Sequence, residues 1–205
     1  GSWILQQTLA PSAGSLGAFG AAVSLHSDRV AVGVERQGLG AGWEVRVFRR
    51  SAGVWSYEAT LQPSTAPYGQ YVDDRFGTAL DLLDATLVVG APEDSIPGSP
   101  STARRGAAFV FTRSGTTWAQ SARIDPTIVE PHSRFGSSVA IGDDAVLAVG
   151  ADGVGAGFPP ELTRGRVLLF ERTGGLWQQR HLMTAALGDD GDHLGASLAI
   201  APSGI

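Results

Sequence analysis

Four landmarks recur along this 205-residue chain, and repeats tens of residues apart restrict the fold to units that stack on copies of themselves. Trp3, Trp55, Trp118 and Trp177 open the stretches WILQQTLAP, WSYEATLQP, WAQSARIDP and WQQRHLMTA, at spacings of 52, 63 and 59. Phe-Gly recurs at Phe19-Gly20, Phe76-Gly77 and Phe135-Gly136, with Leu194-Gly195 in the fourth position, at spacings of 57, 59 and 59. An apolar run reaches Val-Gly at Gly33, Gly90 and Gly150, which follow the Phe-Gly glycine by 13, 13 and 14 residues. Finally, EVRVF, AAFVF and RVLLF end in Phe48, Phe111 and Phe170, each seven residues before the repeat tryptophan. Spacing that is nearly fixed within pairs of landmarks and variable between pairs is what rigid strands joined by loops produce.

Each unit reads as four strands. In the third unit these run over 135–141, 145–151, 165–172 and 176–184. The link between strands A and B is hairpin length, Gly142-Asp143-Asp144 or Asp84-Ala85, and SAG, RSG and TGG join C to D. The B–C connection is the variable one: Glu35 to Gly42, Pro92 to Arg105 and Asp152 to Arg164. Variable loops at one end of a repeat array are where binding concentrates. No stretch of helical length shows apolar positions at helical period while avoiding glycine and proline, and these two residue types make up 39 of 205 positions. The expected fold is all-β: propeller blades, each a four-stranded antiparallel meander, with GAAVSL, GTALDL, GSSVAI and GASLAI as inner strands. The unit boundaries are 1–14 (last strand only), 15–70, 71–130, 131–187 and 188–205 (first strand only), about 3.5 repeats in a single propeller domain or fragment. Two copies of such an arc would bring together enough strands for an imperfect ring, so a homodimer is one expected assembly.

These residues resemble the FG-GAP repeat, the blade unit of integrin α-subunit heads and of many bacterial surface proteins. RFGSSVAIGDDAVLAVGAD with GRVLLFERTGGLWQQRHL, and FGTALDLLDATLVVGAP with GAAFVFTRSGTTWAQSARI, carry the resemblance, and FGAAVSLHSDRVAVGVE with WEVRVFRRSAGVWSYEATL follows it. It implies structural roles for Phe76, Gly77, Gly90, Ala91 and Pro92. The third unit has Gly150-Ala151-Asp152 and the first only Gly33-Val34. Many relatives carry a calcium loop between strands A and B. Here LDLLDAT, AIGDDAV and SLHSDRV offer one or two carboxylates each, against the six to eight oxygens calcium takes, so the short calcium-free bacterial subtype is the closer likeness and no cofactor is expected.

Other chemistry is sparse. The chain has no cysteine, lysine or asparagine, all 15 basic residues are arginine, and the net charge is -5, so no basic field for nucleic acid exists. No apolar run approaches the length of a membrane helix. The four histidines, His26, His132, His181 and His193, fall at different repeat phases and lack a zinc spacing. Asp189, Asp190 and Asp192 form the densest acidic group and are candidate cation ligands, although a polar turn leading into the inner strand accounts for them and for Asp73-Asp74-Arg75 and His132-Ser133-Arg134 alike. Arg75 and Arg134 share one repeat position. They are candidates for an anionic ligand or for pairing with nearby aspartates. By period-2 counting the repeat tryptophans share a strand face with Leu5, Ala59, Ala122 and Met183, which favours packing over sugar stacking. The resulting expectation is a non-catalytic binding module of a bacterial secreted or cell-surface protein that recognises protein or glycan through its inter-strand loops. A carbohydrate-binding propeller with one aromatic site per blade, and a scaffold domain of a larger enzyme, are the alternatives.

Overall fold

Every apolar run that the repeat sets between two turns becomes a strand. The computed structural model describes residues 2–10, 17–36, 42–64, 74–95, 104–127, 132–142, 146–153, 164–185 and 191–201. The first unit holds β1 (Phe19–His26), β2 (Arg29–Glu35), β3 (Trp43–Ser51) and β4 (Val54–Leu61). The second holds β5 (Ala79–Leu83), β6 (Thr86–Ala91), β7 (Ala107–Ser114) and β8 (Thr117–Ile124). The third holds β9 (Phe135–Gly142), β10 (Val146–Ala151), β11 (Arg166–Thr173) and β12 (Leu176–Thr184). Each unit is one four-stranded antiparallel sheet with its strands in chain order, and no helix occurs among the described residues. The fold is all-β and built of blade-like meanders.

The sheets stack face to face. Strands β2, β6 and β10 are buried along nearly their whole length, which is why RVAVGV, TLVVGA and VLAVGA read as continuous apolar runs instead of alternating ones. One core lies between the first and second sheets, with Val45, Val47, Phe76 and Phe109, and another between the second and third, with Val110, Phe135, Leu147 and Leu168. The Phe76 ring meets Phe109 edge to face at a centroid distance of 5.4 Å, and Phe135 meets Phe170 at 6.0 Å. The inner strands β1, β5 and β9 press on one another, whereas β4, β8 and β12 scarcely touch. The stack therefore splays outward like propeller blades, in an arc that is not closed.

What lets the inner ends approach is a pair of glycines from neighbouring units. The carbonyls of Arg75, Arg134 and His193 accept hydrogen bonds from the N–H groups of Thr78, Ser137 and Ala196, at 3.2, 2.9 and 3.0 Å. Each turn so closed has Phe-Gly or Leu-Gly at its centre. Gly77, Gly136 and Gly195 have φ of 93°, 91° and 90°, the condition that reserves the third position of a type II turn for glycine. The facing glycines Gly33, Gly90 and Gly150 have no such φ, yet a Cβ on any of them would overlap the carbonyl oxygen of Gly77, Gly136 or Gly195 in the next unit. The two glycine landmarks of the repeat are thus the two halves of one contact, made between units.

A second link joins the inner strands. Ser24 Oγ accepts the Leu82 N–H at 2.9 Å, and Asp81 Oδ2 accepts the Ile141 N–H at 2.8 Å. Ser24 and Asp81 hold the same repeat position, so a side chain of one blade satisfies the free edge of the next.

Period-2 counting along the fourth strands fails for a definite reason. The pairing of β3 with β4, β7 with β8 and β11 with β12 slips at Val47/Phe48, Val110/Phe111 and Leu169/Phe170, leaving Glu58, Ser121 and Arg180 as extra residues. Each bulge moves the residues beyond it to the other face. Trp55 accordingly packs on one side of the first sheet with Phe48, and Ala59 on the other with Val47; Trp118 and Ala122 are divided in the same way. The expected sharing of a face by Trp55 with Ala59, and by Trp118 with Ala122, is therefore incorrect.

Among the described residues the two end segments pack on the outer sheets without forming ladders, and Leu194 makes a single bridge to Gly165. Leu9 stands six residues after Trp3, as Leu61 and Ile124 stand after Trp55 and Trp118. It packs on Val30, Val32 and Phe48 of the first sheet, while Leu61 and Ile124 fill the two inter-sheet cores. The Gln7 side chain bonds the backbone of Trp55 at both Nε2 and Oε1, each at 2.9 Å. At the other end Leu194, Leu198 and Ile200 lie on Ala140, Ala148 and Val167.

Gly90→Ala is expected to lower unfolding stability by about 3 kcal/mol, because its Cβ meets the backbone of Gly136 and cannot be accommodated by a rotamer change. Gly115→Ala, at φ 62° in a hairpin with open space around it, should cost only about 1 kcal/mol. Urea denaturation of both variants tests the inter-unit contact, and equal losses would refute it.

Candidate functional site

The strand directions separate the connections into two classes. The described A–B and C–D hairpins lie at one end of the stack, while the strand ends joined by the B–C connections 36–42, 92–106 and 152–165 lie at the other. The described parts of these connections are their stems. The middle portions, including the Gly153-x-Gly155-x-Gly157 run beyond Gly153, lie outside the described residues.

The described stem of the second unit is pinned both within its own blade and to the next. Asp94, only 2% exposed, holds Arg123 through bonds of 2.8 and 3.2 Å, and Arg123 also bonds Asp125 at 2.8 Å while its guanidinium lies 5.2 Å from the Phe109 ring centre. Burial pulls the Arg123 guanidinium down, but hydrogen bonding and charge from Asp94 and Asp125 outweigh it and hold it above its ordinary range. The Arg105 carbonyl of the second unit accepts both the Ser133 hydroxyl and the Phe135 N–H of the third, each at 3.0 Å. Arg134 sits at φ 55° in the turn and pairs with Asp152 at 3.4 Å and with Glu93 of the preceding unit at 4.0 Å. Arg104 reaches the same Glu93 at 3.5 Å. Arg134 Nε and Asp152 Oδ1 are buried without a hydrogen-bond partner, which makes this junction the least satisfied polar cluster at the loop-bearing end.

Of the two arginines at the shared repeat position, Arg134 is half-buried in this cluster and Arg75 is exposed. The structure does not bring them together. Asp189 and Asp190 lie outside the described residues, and Asp192 stands in the approach to Leu194. Among the described residues no three His, Asp or Glu side chains are placed to hold a metal ion. Asp81 and Asp84, which a count of carboxylates at the A–B hairpin singles out, bond the Ile141 N–H and His26. No helix among the described residues is long and apolar enough to cross a membrane.

The tryptophans are not equivalent. Trp3 is fully exposed, and Trp55 packs on the outer face of the first sheet. Trp118 packs between the first and second sheets and donates its indole N–H to Glu58 Oε1 at 2.8 Å. Glu58 is the bulged residue of β4, and its carboxylate takes Arg29 in a fork of 3.0 and 3.1 Å. Trp177 holds the corresponding place between the second and third sheets, but the positions of Arg29 and Glu58 are there Thr86 and Ser121. Between β8 and β12 a groove of about 430 Å3 results, lined by Trp177, Arg123, Asp125, Thr127, Gln178 and Gln179 among others. Sequence reasoning missed this groove, although the loss of a charged pair between two copies of a repeat was a readable signal.

No protein-family model matches the chain, and no curated protein matches it.

Burial pushes the Glu58 carboxyl up, but hydrogen bonds from Arg29 and Trp118 and the charge of Arg29 outweigh it and leave it below its ordinary value of 4.5. A carboxyl so lowered adds stability above its unfolded-state value and loses it as the pH falls through its folded-state value. Glu58→Gln should cost about 2 kcal/mol near neutral pH, since it leaves a buried arginine with Asp28, at 2.6 Å, as its carboxylate partner. The gap between variant and parent should close as the pH drops below 4.5, which urea titrations across that range would record.

Proposed function

We propose that this chain is a non-catalytic recognition module, a set of propeller blades that presents its B–C loops as a binding surface for protein or glycan. The observation that carries this reading is the asymmetry of the stack. One end carries the described hairpins, and the other the strand ends joined by connections of different length, 36–42, 92–106 and 152–165, the second with its stem bonded to the next unit through the Arg105 carbonyl. Binding surfaces are commonly made of variable loops held by a rigid scaffold. The FG-GAP resemblance supports the same reading, and with it a place in a bacterial secreted or surface-attached protein.

The alternative of one equivalent aromatic site per blade is weaker. Trp118 spends its indole N–H on Glu58, whereas no described residue accepts that of Trp177, so the blades do not offer the same chemistry.

Probing an array of glycans and purified extracellular proteins with the whole chain tests the proposal. Replacing 96–102 and 154–163 with Gly-Ser segments of equal length should abolish all binding except any held by the groove between β8 and β12, and leave the thermal midpoint unchanged. Binding that survives both replacements and does not map to that groove would refute a loop-borne surface.

A further inference from the structure

The groove between β8 and β12 has no residue of the B–C connections in its lining. A matched pair of substitutions within the repeat, with Ser121 in its lining, is among the differences that set it apart from the junction before it. Between the first and second blades, Arg29 and Glu58 fill the space beneath Trp118, with side chains 7% and 5% exposed. Between the second and third, both positions carry a short hydroxyl residue. Thr86 is buried at the start of β6, and Ser121 donates its hydroxyl back to the Val110 carbonyl at 3.2 Å within its own sheet.

The lining then determines what fits. Trp177 contributes a partly exposed ring and an indole N–H that no described residue accepts. Arg123 is engaged by Asp94 and Asp125, so it offers no unpaired positive charge to an anion, and Asp125 is balanced in turn by Arg123. Gln179 accepts the Thr127 hydroxyl at 2.5 Å through Oε1, which leaves both of its amide N–H donors for another partner. Gln178 stands beside it, exposed. One aromatic ring flanked by amides, a carboxylate and a hydroxyl, with charges internally paired, suits a ligand that has an apolar face and many hydroxyls and no net charge. A purely apolar ligand would strip water from these polar groups without replacing it. The volume of about 430 Å3 falls within the range of small-molecule sites.

We propose that the groove formed by Trp177, Gln178, Gln179, Asp125 and Thr127 between the second and third blades is a binding site for a neutral sugar, stacked on Trp177.

Saturation-transfer NMR of the whole chain with four neutral disaccharides, cellobiose, lactose, maltose and N,N′-diacetylchitobiose, is the test. At least one should bind. The variant T86R/S121E rebuilds the charged pair of the first junction and should give Trp177 the same internal partner that Trp118 has, weakening binding by about tenfold or more. Gln178→Ala with Gln179→Ala, at the outer surface, should weaken it by a similar factor and serves if the buried pair disturbs the fold. Replacement of the B–C loops should leave it unchanged, which separates this site from the loop surface. Failure of all four sugars to bind, or full binding retained by a folded T86R/S121E or by the glutamine double variant, would overturn the proposal.

Discussion

The structure depends on backbone touching backbone where adjacent sheets meet. Gly33 against Gly77, Gly90 against Gly136 and Gly150 against Gly195 bring the chain closer than any side chain permits. The second glycine of each pair also makes a left-handed turn position available. With that contact made, the preceding Phe76 or Phe135 falls between two sheets and the apolar strands β2, β6 and β10 are covered on both faces. A four-stranded meander alone exposes one or both of its faces, so each unit is stable only through its neighbour.

The same dependence explains the polar features at the inter-sheet junctions. Buried charges are tolerated only when paired and hydrogen-bonded, and two such pairs lie where two blades meet. Arg29 and Glu58 take Trp118 from the next unit, and Glu93 meets Arg134 of the next. Asp81 caps a backbone N–H of the following inner strand. These contacts orient the blades, and they fix the stems from which the variable connections rise.

Repetition also makes departures informative. At the junction beside Trp177 the positions of Arg29 and Glu58 carry Thr86 and Ser121, and those of Thr60, Gln62 and Ala119 carry Arg123, Asp125 and Gln178.

The sequence by itself determined the number of units, their strand order and nearly every strand boundary, because turn chemistry and apolar runs are local and recur three times. For the third unit the expected spans 135–141, 145–151, 165–172 and 176–184 differ from β9 to β12 by a residue at most. It also marked Phe-Gly and Val-Gly as landmarks. That these two glycines meet each other, across units and not within one, was decided by the tertiary structure, since a spacing along the chain carries no information about which copy supplies the partner. The bulges at Glu58, Ser121 and Arg180 were likewise invisible to period-2 counting, because one extra residue shows only against its paired strand. The open groove beside Trp177 follows from both facts: its residues are remote in sequence, and only the stacking of one bulged strand on the next blade brings them to one place.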